Sequence, residues 1–471
     1  MNVWRMLILP VCLVAGVAFA QAPDTLWTRV YGGDGNEGAV AVQQTTDSGY
    51  VVVSSTTSFG AGSQDFYLLK TNADGDTLWT HTYGGAAKDQ ALSVRQTSDG
   101  GYIMAGVTDP AGADSGAVYV IKTDAAGIVT WPRTFGGNYY DAGTCVRQIT
   151  DGGYVVAGAS APNFFDLANA YLLKLNSSGT QVWTRSYGGV GVDFASAVEQ
   201  TSDGGFILAG FTAPFLSLIG DVYLIKTSSS GTLTWSRTFG GDSVDIALSV
   251  QQTSDGGYIL AGVTKSFGSG GNDAYVIKTN SSGDTLWTRT YGGSEADYAG
   301  SIQPTADGAY IIAGGTESFG VSGSAAYLIK INSLGDTLWT KIVDGPGNDG
   351  AAAVQQTFDG GFIVAGATNS YGPDSSNVWL FKLTECSDLT PLSPQLVMTL
   401  AGEDIQLFWN PITQSVADCP IHVDRYDVFT DTLATGGFST LLGASSDTSF
   451  THIGAISEPY LTRFYLVKAV R

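Results

Sequence analysis

Seven tryptophans, Trp27, Trp79, Trp131, Trp183, Trp235, Trp287 and Trp339, follow one another at a constant interval of 52 residues. A fixed period of this length implies a repeat architecture, in which no unit buries its apolar surface alone and each packs against its neighbours. The unit is clearest from Asp255 to Gly293, through Gly257-Tyr258-Ile259-Leu260-Ala261-Gly262, Asp273-Ala274-Tyr275-Val276-Ile277-Lys278 and Thr285-Leu286-Trp287-Thr288-Arg289. Each unit holds four short apolar segments separated by turn residues, and none has helical periodicity. The first segment, as in 91–97, is rich in small residues. The second follows an aspartate-glycine turn, the third ends in lysine, and a turn such as Asn280 to Gly283 leads into the tryptophan segment.

Strands joined in order by tight turns make an antiparallel meander, and a meander repeated about an axis makes a propeller. The first tryptophan segment, 24–31, stands ahead of any complete unit, whereas the last unit, 349–383, lacks one. An orphan strand at one end and a vacancy at the other predict an all-β, seven-bladed β-propeller closed by its N-terminal strand. Closure pairs edges that would otherwise stay open. The small-residue strand is expected at the crowded axis and the tryptophan strand outermost.

The second segments end in Ala105-Gly106, Ala157-Gly158, Ala209-Gly210, Ala261-Gly262, Ala313-Gly314 and Ala365-Gly366. A glycine-ended second strand ahead of a tryptophan strand resembles the kelch or galactose-oxidase type of propeller. The resemblance covers residues 24–383, with Ser54-Ser55 departing from it in the first blade. The longer Gly-Gly-Tyr-Ile-x-Ala-Gly pattern is more similar to propeller-like repeats of secreted bacterial proteins, most of which lack an assigned activity. Neither resemblance brings catalytic residues. The copper site of galactose oxidase needs tyrosine, cysteine and histidine together, and the propeller region offers His81 alone.

Residues 1–20 carry Arg5, then an apolar run that closes on Ala18-Phe19-Ala20. This pattern predicts a signal peptide cut before Gln21, hence a secreted or cell-surface protein. The run is short for a membrane span, and no later stretch is long and apolar enough, so the mature chain is expected to have no span. The propeller is then expected over 21–384, a linker over 385–394 and a β-sandwich over 395–471. In the last region Trp409, Tyr426 and Tyr465 resemble the core of a fibronectin type III domain, which implies a spacer or docking module. Cys386 and Cys419 either pair in an oxidising compartment or stay apart, because sequence does not report their Cα separation. Cys145 shares its column with Ala41, Ser93, Ala197, Ser249, Ser301 and Ala353, which makes it a packing residue.

The chain has 43 acidic and 22 basic residues, a net charge of −21, which argues against nucleic acid or anionic lipid as partner. Glu37, Asp89, Asp141, Asp193, Asp245, Asp297 and Asp349 precede the inner strand of each unit. They are read either as channel-rim carboxylates that attract cations or as acceptors of backbone N–H bonds in their own loops, the second being favoured. Asp47, Asp99, Asp151, Asp203, Asp255, Asp307 and Asp359 occupy the turn between the first two strands. Lys70, Lys122, Lys174, Lys226, Lys278, Lys330 and Lys382 end the third, and the meander brings the two columns to one face as ion pairs, each contributing about 0–1 kcal/mol if exposed. A further column is Arg29, His81, Arg133, Arg185, Arg237, Arg289 and Lys341, whose arginines are placed to stack or pair between blades. The two basic columns hold 13 of the 22 basic residues.

What a repeat leaves free is where a site is expected. The loop between the second and third strands is polar and glycine-rich in most blades, as at 266–272. In two adjacent blades it carries Phe164, Phe165 and Leu167, and then Phe215, Leu216, Leu218 and Ile219. These form either an interaction patch or a cover folded over their own blade tops. There is no phosphate loop, H-E-x-x-H or G-x-S-x-G, and His81, His422 and His452 are too scattered for a triad or zinc site. No cofactor is expected. Calcium is the one cation in question, since the aspartate-glycine turns resemble calcium-loop fragments without the distal glutamate. The reading that results is a secreted, non-catalytic binding, adhesion or scaffold protein that meets a protein or glycan through its loop face. The alternative is a polysaccharide-active hydrolase or lyase using channel-mouth carboxylates such as Asp141 and Asp193.

Overall fold

A computed structural model describes residues 22–470 apart from 110–115, 137–138, 162–167, 216, 218, 373–374, 385–395, 402–403, 410–424, 432–439, 446–448 and 453–463. Seven four-stranded antiparallel sheets follow one another from residue 25 to 383. In blade 1 the inner, second, third and outer strands are Glu37–Gln44, Tyr50–Thr56, Asp65–Thr71 and Thr77–Tyr83. Blades 2 to 6 repeat this order over 88–136, 141–187, 191–239, 245–291 and 297–343. Blade 7 has Asp349–Gln356, Phe362–Thr368 and Asn377–Leu383, and its outer strand is Thr25–Tyr31, paired antiparallel with Trp27 opposite Lys382. The protein is a seven-bladed, all-β propeller.

The core lies between blades rather than within them. Ile103, Ala105, Val118 and Val120 of blade 2 pack on Val146, Tyr154, Val156, Tyr171 and Leu173 of blade 3. Ile363, Ala365, Val378 and Leu380 of blade 7 meet Ala39, Val42, Tyr50, Val52, Tyr67 and Leu69 of blade 1 in the same way. Second and third strands are therefore covered on both faces. They read as unbroken apolar runs, because alternation marks a sheet with one face in water.

The second strands run at least two residues past the glycine that sequence placed at their end, as Tyr258–Thr264 does past Gly262, and the glycine has a steric cause. Every inner strand carries a register shift that starts two residues after Glu37 or the aspartate in its column, between Ala39 and Ala41 in blade 1 and between Ala247 and Ser249 in blade 5. Such a bulge bends the strand toward its partner. A Cβ built on Gly262 would lie 1.9 Å from the Ile246 carbonyl oxygen, so no side chain fits there with the strands as they stand. In blade 1 the position is Ser54, whose hydroxyl accepts the Gly38 N–H at 3.0 Å.

Beyond residue 384 the backbone forms two three-stranded sheets. One joins Leu396–Ala401, Asp404–Trp409 and Ser449–His452; the other joins Thr440–Ser445, Arg425–Asp431 and Phe464–Val470. Cys386 and Cys419 lie outside the described residues. Cys145 is a buried free thiol in the core between blades 3 and 4.

Candidate functional site

The carboxylate column does not line the channel rim, the less favoured of its two readings; its side chains are buried in their own loops. Glu37, Asp89, Asp141, Asp193, Asp245, Asp297 and Asp349 are all inaccessible or nearly so. Asp245 accepts the Gly241 N–H at 2.9 Å and the Ser266 hydroxyl at 2.6 Å; Asp297 accepts Gly293 N–H at 2.8 Å and the Ser318 hydroxyl at 2.9 Å. Asp89 and Asp193 likewise accept the N–H four residues upstream. Burial raises the Glu37 pKa, but bonds from Thr56, Ser58 and Gly33 outweigh it and leave the carboxyl below its ordinary value. These side chains tie each loop to its blade. The physical reason is that a loop entering a crowded inner strand has backbone donors that only a local acceptor can satisfy.

The lysine and turn-aspartate columns meet in all seven blades. The Nζ to carboxylate distances run from 2.7 to 3.0 Å. The pairs are less exposed than the sequence suggested, because only the aspartate half faces water. Lys278 is 4% exposed at its side chain and Asp255 is 56% exposed. The stem of each lysine is largely embedded, and in five blades its ammonium also donates to a main-chain carbonyl, Thr279 in this one. The column after the tryptophans is scaffold too. Arg29, Arg133, Arg185, Arg237 and Arg289 lie over their own tryptophan rings at 5.3–5.8 Å. His81 packs on Trp79, and Arg29 and Arg237 reach Asp76 and Asp284 of the next blade.

On the opposite face from the lysine pairs lie the loops between second and third strands. Phe164, Phe165, Leu167, Leu216 and Leu218 fall outside the described residues. Phe215 and Ile219 are exposed. Phe215 belongs to a column that sequence reading missed: Phe59, Phe215, Phe267, Phe319 and Tyr371 share one place in the repeat, in blades 1, 4, 5, 6 and 7. All five are 42–55% exposed. Because blade 7 adjoins blade 1, they occupy five consecutive blades and form an arc. The loop 266–272, read as polar and glycine-rich, holds one of them. Four rings are propped by an aromatic of the third strand, Phe59 on Tyr67, Phe267 on Tyr275, Phe319 on Tyr327 and Tyr371 on Trp379, at 5.6–6.2 Å between centroids. Phe319 keeps its place with φ of 62°, a conformation disfavoured by about 1–2 kcal/mol for a side chain with a Cβ. The gap in the arc adjoins a cavity of about 330 Å³ lined by Lys88, Gln90, Val107, Asp109, Gly116 and Tyr140. The 52-residue spacing of these aromatics was visible in sequence; their exposure was not.

The channel mouth on the lysine face holds a second set that sequence reading passed over. Inner strands present Gln43, Arg95, Arg147, Glu199, Gln251, Gln303 and Gln355 around a cavity of about 250 Å³. Burial, and next to it the Arg147 guanidinium, lower the pKa of Arg95; burial raises that of Glu199. Among the described residues no three metal-ligating side chains cluster, and no helix is long and apolar enough to cross a membrane.

No family model and no curated protein matches the chain. Among solved structures it is similar to the WD40 domain of Neurospora crassa Pan2, at 10% identity over 73% of this chain and 88% of that one, with a TM-score of 0.45. It is also similar to puromycin hydrolase, at 13% identity over 80% of this chain and 59% of that one, with a TM-score of 0.46. BamB from Moraxella catarrhalis matches at 14% identity over 75% of this chain and 85% of that one, with a TM-score of 0.34. Likenesses this distant transfer no activity or partner.

Proposed function

We propose that this chain is an exported, non-catalytic binding protein whose loop face captures a glycan outside the cell. The observation that carries the reading is the arc of five exposed aromatic rings on consecutive blades. Isolated exposed apolar residues are ordinary, but a column of them held in register and propped from below is an interaction surface. Flat rings backed by a rigid sheet stack on the apolar faces of sugars with little ordering cost. The acidic balance of the chain suits a neutral glycan better than a polyanion. By sequence, Phe164, Phe165 and Leu167 in blade 3, and Leu216 and Leu218 next to Phe215 in blade 4, belong to the same loop column in this reading.

The same reading includes export through residues 1–20, a kelch-like ring over 21–384 closed by its N-terminal strand, a linker over 385–394 and a fibronectin type III-like module over 395–471 that spaces the ring from a surface. It assigns no cofactor. The polysaccharide-cleaving alternative loses support, because the acids it relied on, Asp141 and Asp193, are buried. Affinity electrophoresis of the whole chain in gels containing soluble β-glucan, xylan or galactomannan tests the reading. Retardation by at least one polymer is expected, with loss in Phe215→Ser/Phe267→Ser/Phe319→Ser at an unchanged melting temperature. Migration unaffected by all three polymers, or equal retardation of the triple variant, would overturn it.

A further inference from the structure

We propose that the channel mouth on the lysine face is a separate site for a small hydroxylated carboxylate, gripped by Arg95 and Arg147. The column that lines this mouth is glutamine in four blades, Gln43, Gln251, Gln303 and Gln355, so closing the ring does not require charge there. Blades 2, 3 and 4 break the column in succession with Arg95, Arg147 and Glu199. Two like charges on adjacent blades at the half-buried neck of a channel oppose folding, and a scaffold without a use for them would keep glutamine.

Their donors are mostly uncommitted. Arg95 donates one Nη1–H to the Val94 carbonyl at 3.0 Å, and Arg147 does the same to Val146 at 2.9 Å. A guanidinium carries five N–H donors, and among the described residues neither arginine forms an ion pair within 4 Å of a carboxylate. Glu199 accepts the Gln252 N–H at 2.8 Å with one oxygen. The planar fork of arginine fits a carboxylate by two parallel bonds, which favours that anion over a point charge. Two arginines and one glutamate leave one net positive charge, so a monoanion balances the mouth. The surrounding carboxamides both donate and accept, which suits hydroxyl groups. A cavity of about 250 Å³ lies below the roughly 300–1,000 Å³ of pockets that hold drug-sized ligands, so the occupant is small. A sugar acid meets all four conditions. The site faces away from the aromatic arc and stands or falls independently of it.

Isothermal titration calorimetry on the full chain with D-glucuronate, D-gluconate, D-glucose and inorganic phosphate tests the assignment. At least one sugar acid is expected to bind and glucose not. Arg95→Gln and Arg147→Gln install the residue that four other blades already carry and relieve the repulsion between them, so both variants are expected to melt no lower than the parent. Each is expected to weaken binding by about 10-fold or more, the range for losing a hydrogen bond to a charged group. Loss of binding without a fall in melting temperature supports the site. Silence with both sugar acids, equal affinity for glucose, binding of phosphate alone, or unchanged affinity in both variants overturns it.

Discussion

Asp255→Ala and Lys278→Met cut the same ion pair from opposite sides, and the structure makes their costs unequal. The Lys278 ammonium is buried, 2.8 Å from Asp255 Oδ2 and 3.1 Å from Oδ1, with the Thr279 carbonyl as its third partner at 3.0 Å. Removing the aspartate strands that ammonium with one neutral acceptor and also frees the Thr253 hydroxyl and the Gly257 N–H. Breaking a buried pair in this way costs about 3–5 kcal/mol; water can reach the space left by Asp255, so about 3 kcal/mol is expected. Lys278→Met keeps the buried stem, leaves Asp255 facing water with two of its partners, and forfeits about 1 kcal/mol. The double variant is expected to be more stable than Asp255→Ala alone, since no charge remains to be desolvated. Urea unfolding followed by tryptophan fluorescence measures all three. A cost for Lys278→Met equal to or above that of Asp255→Ala would refute the argument that the lysine is the desolvated partner.

The same pairs set an acid limit. Burial raises the carboxyls of Asp99, Asp203 and Asp255, but bonds from their lysines, from Thr97, Thr201 and Thr253 and from the following turn N–H outweigh it and hold them at about 2. Their stabilisation is present above the ordinary carboxyl value of about 4 and disappears as pH falls toward 2, so the melting temperature is expected to drop across that window. Burial, and then Asp245, raise Asp221, whose contribution runs the other way and is lost as pH rises; Asp221→Asn is expected to flatten the fall in melting temperature as pH rises above the ordinary carboxyl value of about 4, and an unaltered slope would count against the burial and repulsion. Gly262→Ala is expected to lose about 3 kcal/mol or more in urea unfolding, since its Cβ would overlap the Ile246 carbonyl; a loss below 1 kcal/mol would deny the close approach. Ser48 holds φ of 66° where blades 2 to 7 place glycine at 79–84°, so Ser48→Gly is expected to raise stability by up to about 1 kcal/mol, whereas Gly100→Ala lowers it by a similar amount.

The 52-residue period alone determined the number of blades and the order of strands, because spacing survives translation into structure unchanged. It also paired Lys70 with Asp47 and its six counterparts, since both columns sit at turns on one face and a repeat without insertions keeps them in step. Orientation was another matter. The bulge in each inner strand resets the alternation of side chains, so strand position did not reveal that Gln43, Arg95 and Glu199 face the channel. Nor does a residue's column say what lies over it. Asp245 and Phe267 occupy equally regular places in blade 5, yet the loop whose Gly241 N–H bonds to it encloses the first, while Tyr275 beneath the second holds its ring out to solvent. Burial is a property of the neighbours that packing assembles, and only the closed ring supplies them.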